Sequence, residues 1–141
     1  MQLRARGGME KQRILVVEDD ARFREKFARA LGRVLAAERL DFAFVGVGSI
    51  SEARARLREG GLDAALIDVR LPDGDGLDFV RELNNSTASR IPTLIMTAYL
   101  DHKVAARAMD AGAQGALSKV VSVPETAEAI KRLLDGGHSE A

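Results

Sequence analysis

The chain has 141 residues, 46% of them hydrophobic and 30% charged, which is the size and balance of one globular domain with room for a core. Lysine plus arginine equals aspartate plus glutamate at 21 each, so no bulk field draws the protein to nucleic acid or to a membrane surface. Cysteine is absent, which excludes disulfides and thiolate metal sites and is compatible with the reducing cytoplasm, the expected location; no apolar run reaches the roughly 18–20 residues that span a bilayer.

Residues 1–10 carry Arg4 and Arg6 with no apolar segment of signal-peptide length behind them, and are expected to be a disordered N-terminal extension. The run Ile14-Leu15-Val16-Val17 predicts a first strand over 13–17. Asp19 or Asp20 then caps a helix whose inner face is Phe23, Phe27, Ala30, Leu31, Val34 and Leu35. A second strand is predicted over 41–47, and Ser49 or Ser51 opens a short helix that stops at Gly60-Gly61. The third strand covers 63–67, and Asp75 caps a helix over 77–83. After a polar loop at 84–90, Pro92 stands at the start of a strand over 91–96, a position open to proline. A helix over 101–111 ends at Gly112, the fifth strand covers 114–118, and Pro124 lies in the first turn of a last helix reaching about Leu134. Residues 135–141 read as a tail or a truncated linker.

Five strands alternating with five helices imply an α/β domain over 11–134. The near-continuous apolar strands call for a parallel sheet covered on both faces. We expect a flavodoxin-like (βα)5 doubly wound sheet with strand order 2-1-3-4-5. That order brings Glu18, Asp19, Asp68, Thr97 and Lys119, each just past or at the end of a strand, to one edge of the sheet. Clustered carboxylates repel one another and raise each other's pKa values, so such a group is kept chiefly where a hard cation neutralises it. Magnesium suits an oxygen-only site shared with a phosphoryl oxygen. A lysine can pair with Asp68 and then with a phosphoryl group on it, and a threonine hydroxyl can donate to that group. These parts describe an aspartate that accepts phosphate by in-line attack.

Four segments carry a family resemblance: Val16-Val17-Glu18-Asp19-Asp20, Leu66-Ile67-Asp68-Val69-Arg70-Leu71-Pro72 with Gly74 and Gly76, Met96-Thr97-Ala98, and Gly112 through Lys119. In this order and spacing the chain, from about Lys11 to Leu134, resembles the receiver domain of two-component response regulators. The resemblance implies that Asp68 takes phosphate from a sensor histidine kinase or phosphotransfer protein. It implies Mg2+ held by Glu18, Asp19, Asp68 and the backbone carbonyl of Arg70, with Thr97 and Lys119 sensing the phosphoryl group. The face formed by 101–134 would then switch to control a downstream protein or a fused effector domain, and it is also the family's usual homodimer surface. No direct contact with nucleic acid and no membrane attachment is expected.

Two positions depart from the family pattern. Val120 replaces the proline that often follows the lysine, so the loop there is expected to be conformed differently. Ala116 stands where many receivers carry a switching Tyr or Phe, and Tyr99, two residues after Thr97, is expected to substitute in part. Two other function classes share parts of this pattern. One is a receiver-like interaction module that works without phosphorylation. The other is a magnesium-dependent phosphatase with an aspartyl nucleophile, which would need a second acid where Arg70 stands and a substrate cap. No catalysis is expected beyond receipt and hydrolysis of the protein's own phosphate. Asp73 and Asp75 read as turn and cap residues, Arg54, Arg56 and Arg58 as a solvated helix face, and Met96 and Met109 as core; His102 and His138 receive no role.

Overall fold

The structure is a computed structural model and describes residues 11–86 and 90–139, so the expectation for residues 1–10 lies outside the described residues. In chain order the elements are β1 (Gln12–Val17), α1 (Ala21–Ala37), β2 (Phe42–Val47), α2 (Ile50–Glu59), β3 (Ala64–Asp68), the two-residue strands β4 (Arg70–Leu71) and β5 (Gly74–Asp75), α3 (Gly76–Asn84), β6 (Thr93–Thr97), α4 (His102–Ala111), β7 (Gly115–Ser118) and α5 (Val123–Ser139). The main sheet is parallel and runs β2-β1-β3-β6-β7. With the small β4–β5 hairpin set aside, this is the predicted order 2-1-3-4-5.

Alternation along the buried strands sorts side chains to the two faces. Ile14, Val16, Ala64, Leu66, Leu94 and Met96 pack with α1 and α5. Leu15, Val17, Ala65, Ile67 and Ile95 pack with α2, α3 and α4. The central strands are buried on both sides, which is why they read as continuous apolar runs.

The helix starts follow local chemistry. Asp20 is the residue that caps α1, accepting from the Phe23 N–H at 3.1 Å, and Ser49 caps α2 through the Glu52 N–H at 3.1 Å. Asp75 accepts from the Leu77 N–H at 2.7 Å. Gly112, in the left-handed region, closes α4.

Two expectations need correction. The last helix does not stop near Leu134 but continues to Ser139 through Gly136 and Gly137. Each glycine in a helix costs about 1 kcal/mol relative to alanine, too little to end one by itself. Met109 is not core: it is 58% exposed, whereas Met96 is buried at 2%. The tight loop expected between β3 and α3 is present and carries a small hairpin, in which Arg70 pairs with Asp75 and Leu71 with Gly74.

Candidate functional site

The site forms where β1, β3, β6 and β7 end. Three consecutive acids after β1 have three different environments. Glu18 is 1% exposed, Asp19 is exposed, and Asp20 is occupied as the α1 cap. Glu18 is held from several directions: its N–H donates to the Val47 carbonyl at 3.0 Å, its Oε2 accepts from the Asp20 N–H at 2.9 Å, and its Oε1 accepts from Lys119. Asp68, the last residue of β3, is 6% exposed and accepts from Lys119 Nζ at 2.9 Å through Oδ2. Lys119 therefore bridges two buried carboxylates. The Phe23 ring, from the first turn of α1, lies 4.8 Å from its ammonium.

Burial pushes the Glu18 carboxyl above its ordinary value; the Lys119 hydrogen bond opposes that shift and the Asp68 charge adds to it. Burial works against the Lys119 charge, but hydrogen bonds to Glu18 and Asp68 outweigh it and hold the ammonium above the usual lysine value. The lysine thus stays a cation.

Glu18, Asp19 and Asp68 each offer an oxygen, and these atoms lie within 4.8 Å of one another. Three carboxylates against one ammonium leave a formal charge of minus two, matched by one divalent cation. An oxygen-only donor set with one face open to water fits magnesium, which keeps several waters of its own. Glu18 and Asp68 sit deep and Asp19 at the mouth, so these residues could hold the ion beside the acceptor oxygen.

Thr97 ends β6, is 7% exposed, and lines the same cleft as Asp68 and Lys119. Its Oγ1 accepts from the Tyr99 N–H at 3.2 Å, an arrangement that leaves the hydroxyl proton to be donated into the cleft. The Lys119 N–H donates to the Thr97 carbonyl at 2.9 Å, so the two sensing candidates are tied through the backbone. The Arg70 N–H lies 3.4 Å from Asp68 Oδ1, which places the Arg70 peptide beside the acceptor, and the Arg70 side chain is exposed. All the singled-out residues, Glu18, Asp19, Asp68, Arg70, Thr97 and Lys119, line one cleft.

Other residues contribute through contacts that the sequence did not show. Gly76 is required by close approach: a Cβ there would lie 1.9 Å from the Asp68 carbonyl oxygen. Asp73 lies in the turn, as expected, but it also caps a helix that begins 23 residues earlier. Its carboxylate accepts from the Ile50 and Ser51 N–H groups at 2.9 and 3.0 Å, fastening the β3–α3 loop to the start of α2. Those two bonds hold its carboxyl below the ordinary value. Arg24 reaches back along α1 to the Glu18 carbonyl.

The departures take definite forms. Every peptide bond among the described residues is trans, and the Val120 N–H, which a proline would lack, donates to Ser118 Oγ at 3.2 Å. Tyr99 is 76% exposed, and Ala116 is half-buried against the core on the α4 side.

A parallel, doubly wound sheet with this acid–lysine constellation at its carboxyl edge defines the receiver class. The chain belongs to the response regulator receiver domain family, whose sequence profile matches residues 14–131. The swarming motility regulation protein RssB of Serratia marcescens is 34% identical over 118 residues, covering 84% of this chain and 51% of that protein. The response regulator protein PilR of Pseudomonas aeruginosa is 33% identical over 133 residues, 94% of this chain and 28% of PilR. Among solved structures, a LuxR-family two-component response regulator from Aurantimonas sp. SI85-9A1 matches with a TM-score of 0.79 at 28% identity, over 90% of this chain and 87% of that one. The chain spans about half or less of the length of these curated relatives.

Proposed function

We propose that the protein is a phosphorylation-driven switch in which Asp68 accepts a phosphoryl group from a histidine kinase or phosphotransfer protein, with Mg2+ as the required cation. The observation that carries this reading is the Lys119 bridge from Asp68 to Glu18 opposite an exposed Asp19. It leaves a buried acceptor, a divalent-sized charge deficit and a cation ready to change partners.

A carboxylate oxygen of Asp68 attacks phosphorus in line, the bond from phosphorus to the donor's imidazole nitrogen breaks, and that nitrogen leaves with the electron pair. Magnesium, when bound, offsets charge on the phosphoryl oxygens and the acceptor. Lys119 turns from the carboxylate to a phosphoryl oxygen, and Thr97 donates its hydroxyl proton to another. The Arg70 backbone carbonyl would be a further ligand to the metal. Water attack on the phosphoryl group later restores the carboxylate and releases inorganic phosphate, and no other catalysis is assigned.

Movement of Thr97 and Lys119 is passed to α4, β7 and α5, the 101–134 face, which controls a downstream protein or a fused effector domain. With Ala116 unable to swing a ring, backbone shifts in the loop after Thr97 and in α4 carry the change. Action in the cytoplasm accords with the described helices, none of which is long and apolar enough to cross a membrane.

The test is chemical. After treatment with magnesium and a small phosphodonor, borohydride reduction converts an aspartyl phosphate to homoserine. Peptide mapping should find that conversion at position 68 and only when magnesium is present. Conversion elsewhere, or none, would favour an interaction module that works without phosphorylation.

A further inference from the structure

The Glu18 carbonyl lies one residue beyond the last β1–β2 pair, Val17 with Val47, and so has no strand partner. Arg24 Nη1 donates to it at 2.6 Å. To get there the side chain crosses the end of β2, where two glycines stand. A Cβ on Gly46 would lie 3.0 Å from Arg24 Nε and 3.2 Å from its Cδ. A Cβ on Gly48 would lie 3.4 Å from Arg24 Nη1 and 3.8 Å from the Asp19 Cα. Neither glycine has a φ in the left-handed region, so the backbone itself does not demand glycine. The missing side chain at Gly46 leaves the room that the Arg24 stem occupies, whereas a Cβ at Gly48 would make only ordinary contact with the guanidinium.

We propose that Arg24 is a positioning residue for the metal site: by holding the Glu18 carbonyl it fixes the peptide that places the Asp19 carboxylate. The physical link is the planarity of that peptide, which joins the Glu18 carbonyl oxygen and the Asp19 Cα in one rigid unit. The Glu18 N–H, held by Val47, anchors the preceding peptide, and Arg24 then restrains the rotation of the Glu18–Asp19 plane about the Glu18 Cα–C bond. Glu18 has further restraints in Lys119 and the Asp20 N–H, whereas Asp19 is exposed at the cleft mouth and takes its position from the backbone beneath it. Groups that orient metal ligands without touching the metal typically change affinity about 10-fold or more when removed. The inference rests on the magnesium-dependent reading given above.

The experiment is calorimetric titration of magnesium alone into the full chain, for wild type, Arg24→Met, Gly46→Val and the double variant. Metal-free stability is measured beside it by urea unfolding in chelator. Arg24→Met should weaken magnesium binding about 10-fold. Gly46→Val, which keeps Arg24 but fills the room its stem occupies, should weaken it in the same direction although valine suits a strand. The double variant should bind no more weakly than Arg24→Met, because the side chain that the valine displaces is gone. Wild-type affinity in Arg24→Met, or losses that add in the double variant, would overturn the proposal. If Arg24→Met does not fold, Gly46→Val decides alone, and unchanged affinity there overturns it. A wild type that binds no magnesium would overturn the proposed function and this inference together, an outcome distinct from the others.

Discussion

Replacing Lys119 with methionine removes the cation between Glu18 and Asp68 while keeping most of the stem. The Glu18 and Asp68 side chains are 2% and 9% exposed, so two nearly buried carboxylates would then face each other unpaired. Removing one partner of a buried ion pair costs about 3–5 kcal/mol. Lys119 is itself 18% exposed and the cleft opens to water at Asp19, which places the loss near the lower end, about 3 kcal/mol at neutral pH. For a domain of this size that corresponds to a Tm lowered by roughly 12 °C. The pH dependence has a definite sign. Burial already raises the Glu18 pKa against the opposing Lys119 bond, and loss of the lysine raises it further. A carboxyl whose folded pKa exceeds its unfolded value of 4.5 favours the fold most below that value. That advantage is lost as pH rises through the folded pKa, so the deficit of the variant should shrink in acid. Magnesium should recover part of it by replacing the missing charge. Urea unfolding followed by far-UV circular dichroism, at about pH 5 and about pH 8, in chelator and in magnesium, measures all three effects. A deficit below about 1 kcal/mol that is the same at both pH values would refute the reasoning.

Three other perturbations separate the parts of the fold that serve the site. Gly76→Ala puts a Cβ 1.9 Å from the Asp68 carbonyl oxygen, where backbone cannot yield cheaply; a loss of at least about 3 kcal/mol is expected in thermal melts, and a loss under about 1 kcal/mol would contradict the close approach. Asp73→Ala should lower the urea midpoint at neutral pH by freeing two N–H groups of α2. Because the folded pKa of Asp73 lies below 3.8, its contribution is present above that value and fades as pH falls through the folded one; a difference from wild type that persists unchanged in strong acid counts against the tether. Ala116→Tyr introduces a ring beside α4 and should greatly alter phosphorylation-dependent partner binding, measured as the ratio of affinities with and without phosphate. An unchanged ratio would remove that position from the signalling route.

The site was legible because each chemical residue directly follows an apolar strand, and parallel topology brings strand ends together whatever lies between them. Asp68 could be singled out from the run Ala64-Ala65-Leu66-Ile67 and the Pro and Gly residues after it. Lys119 was legible only through its order relative to the other three segments, since a lysine ending a strand is otherwise unremarkable. What stayed hidden depends on contacts between elements. Asp73 looks like any turn acid until α2 is seen to begin beside it, and Arg24 looks like a solvated arginine until Gly46 on β2 is seen to leave room for it. Met109 fits the helical period of α4 but falls on its outer side, where no neighbouring element covers it. The continuation of α5 past Gly136 was missed because a glycine signals a helix end only where the chain also turns away.

The central claim is that Asp68 accepts phosphate with magnesium. Intact mass of the purified chain after incubation with magnesium and a small phosphodonor, with Asp68→Asn in parallel, tests it most directly. A single phosphoryl adduct is expected on the wild type and none on the variant. A wild type that binds magnesium but gains no adduct, or a variant that gains the same adduct, would contradict it.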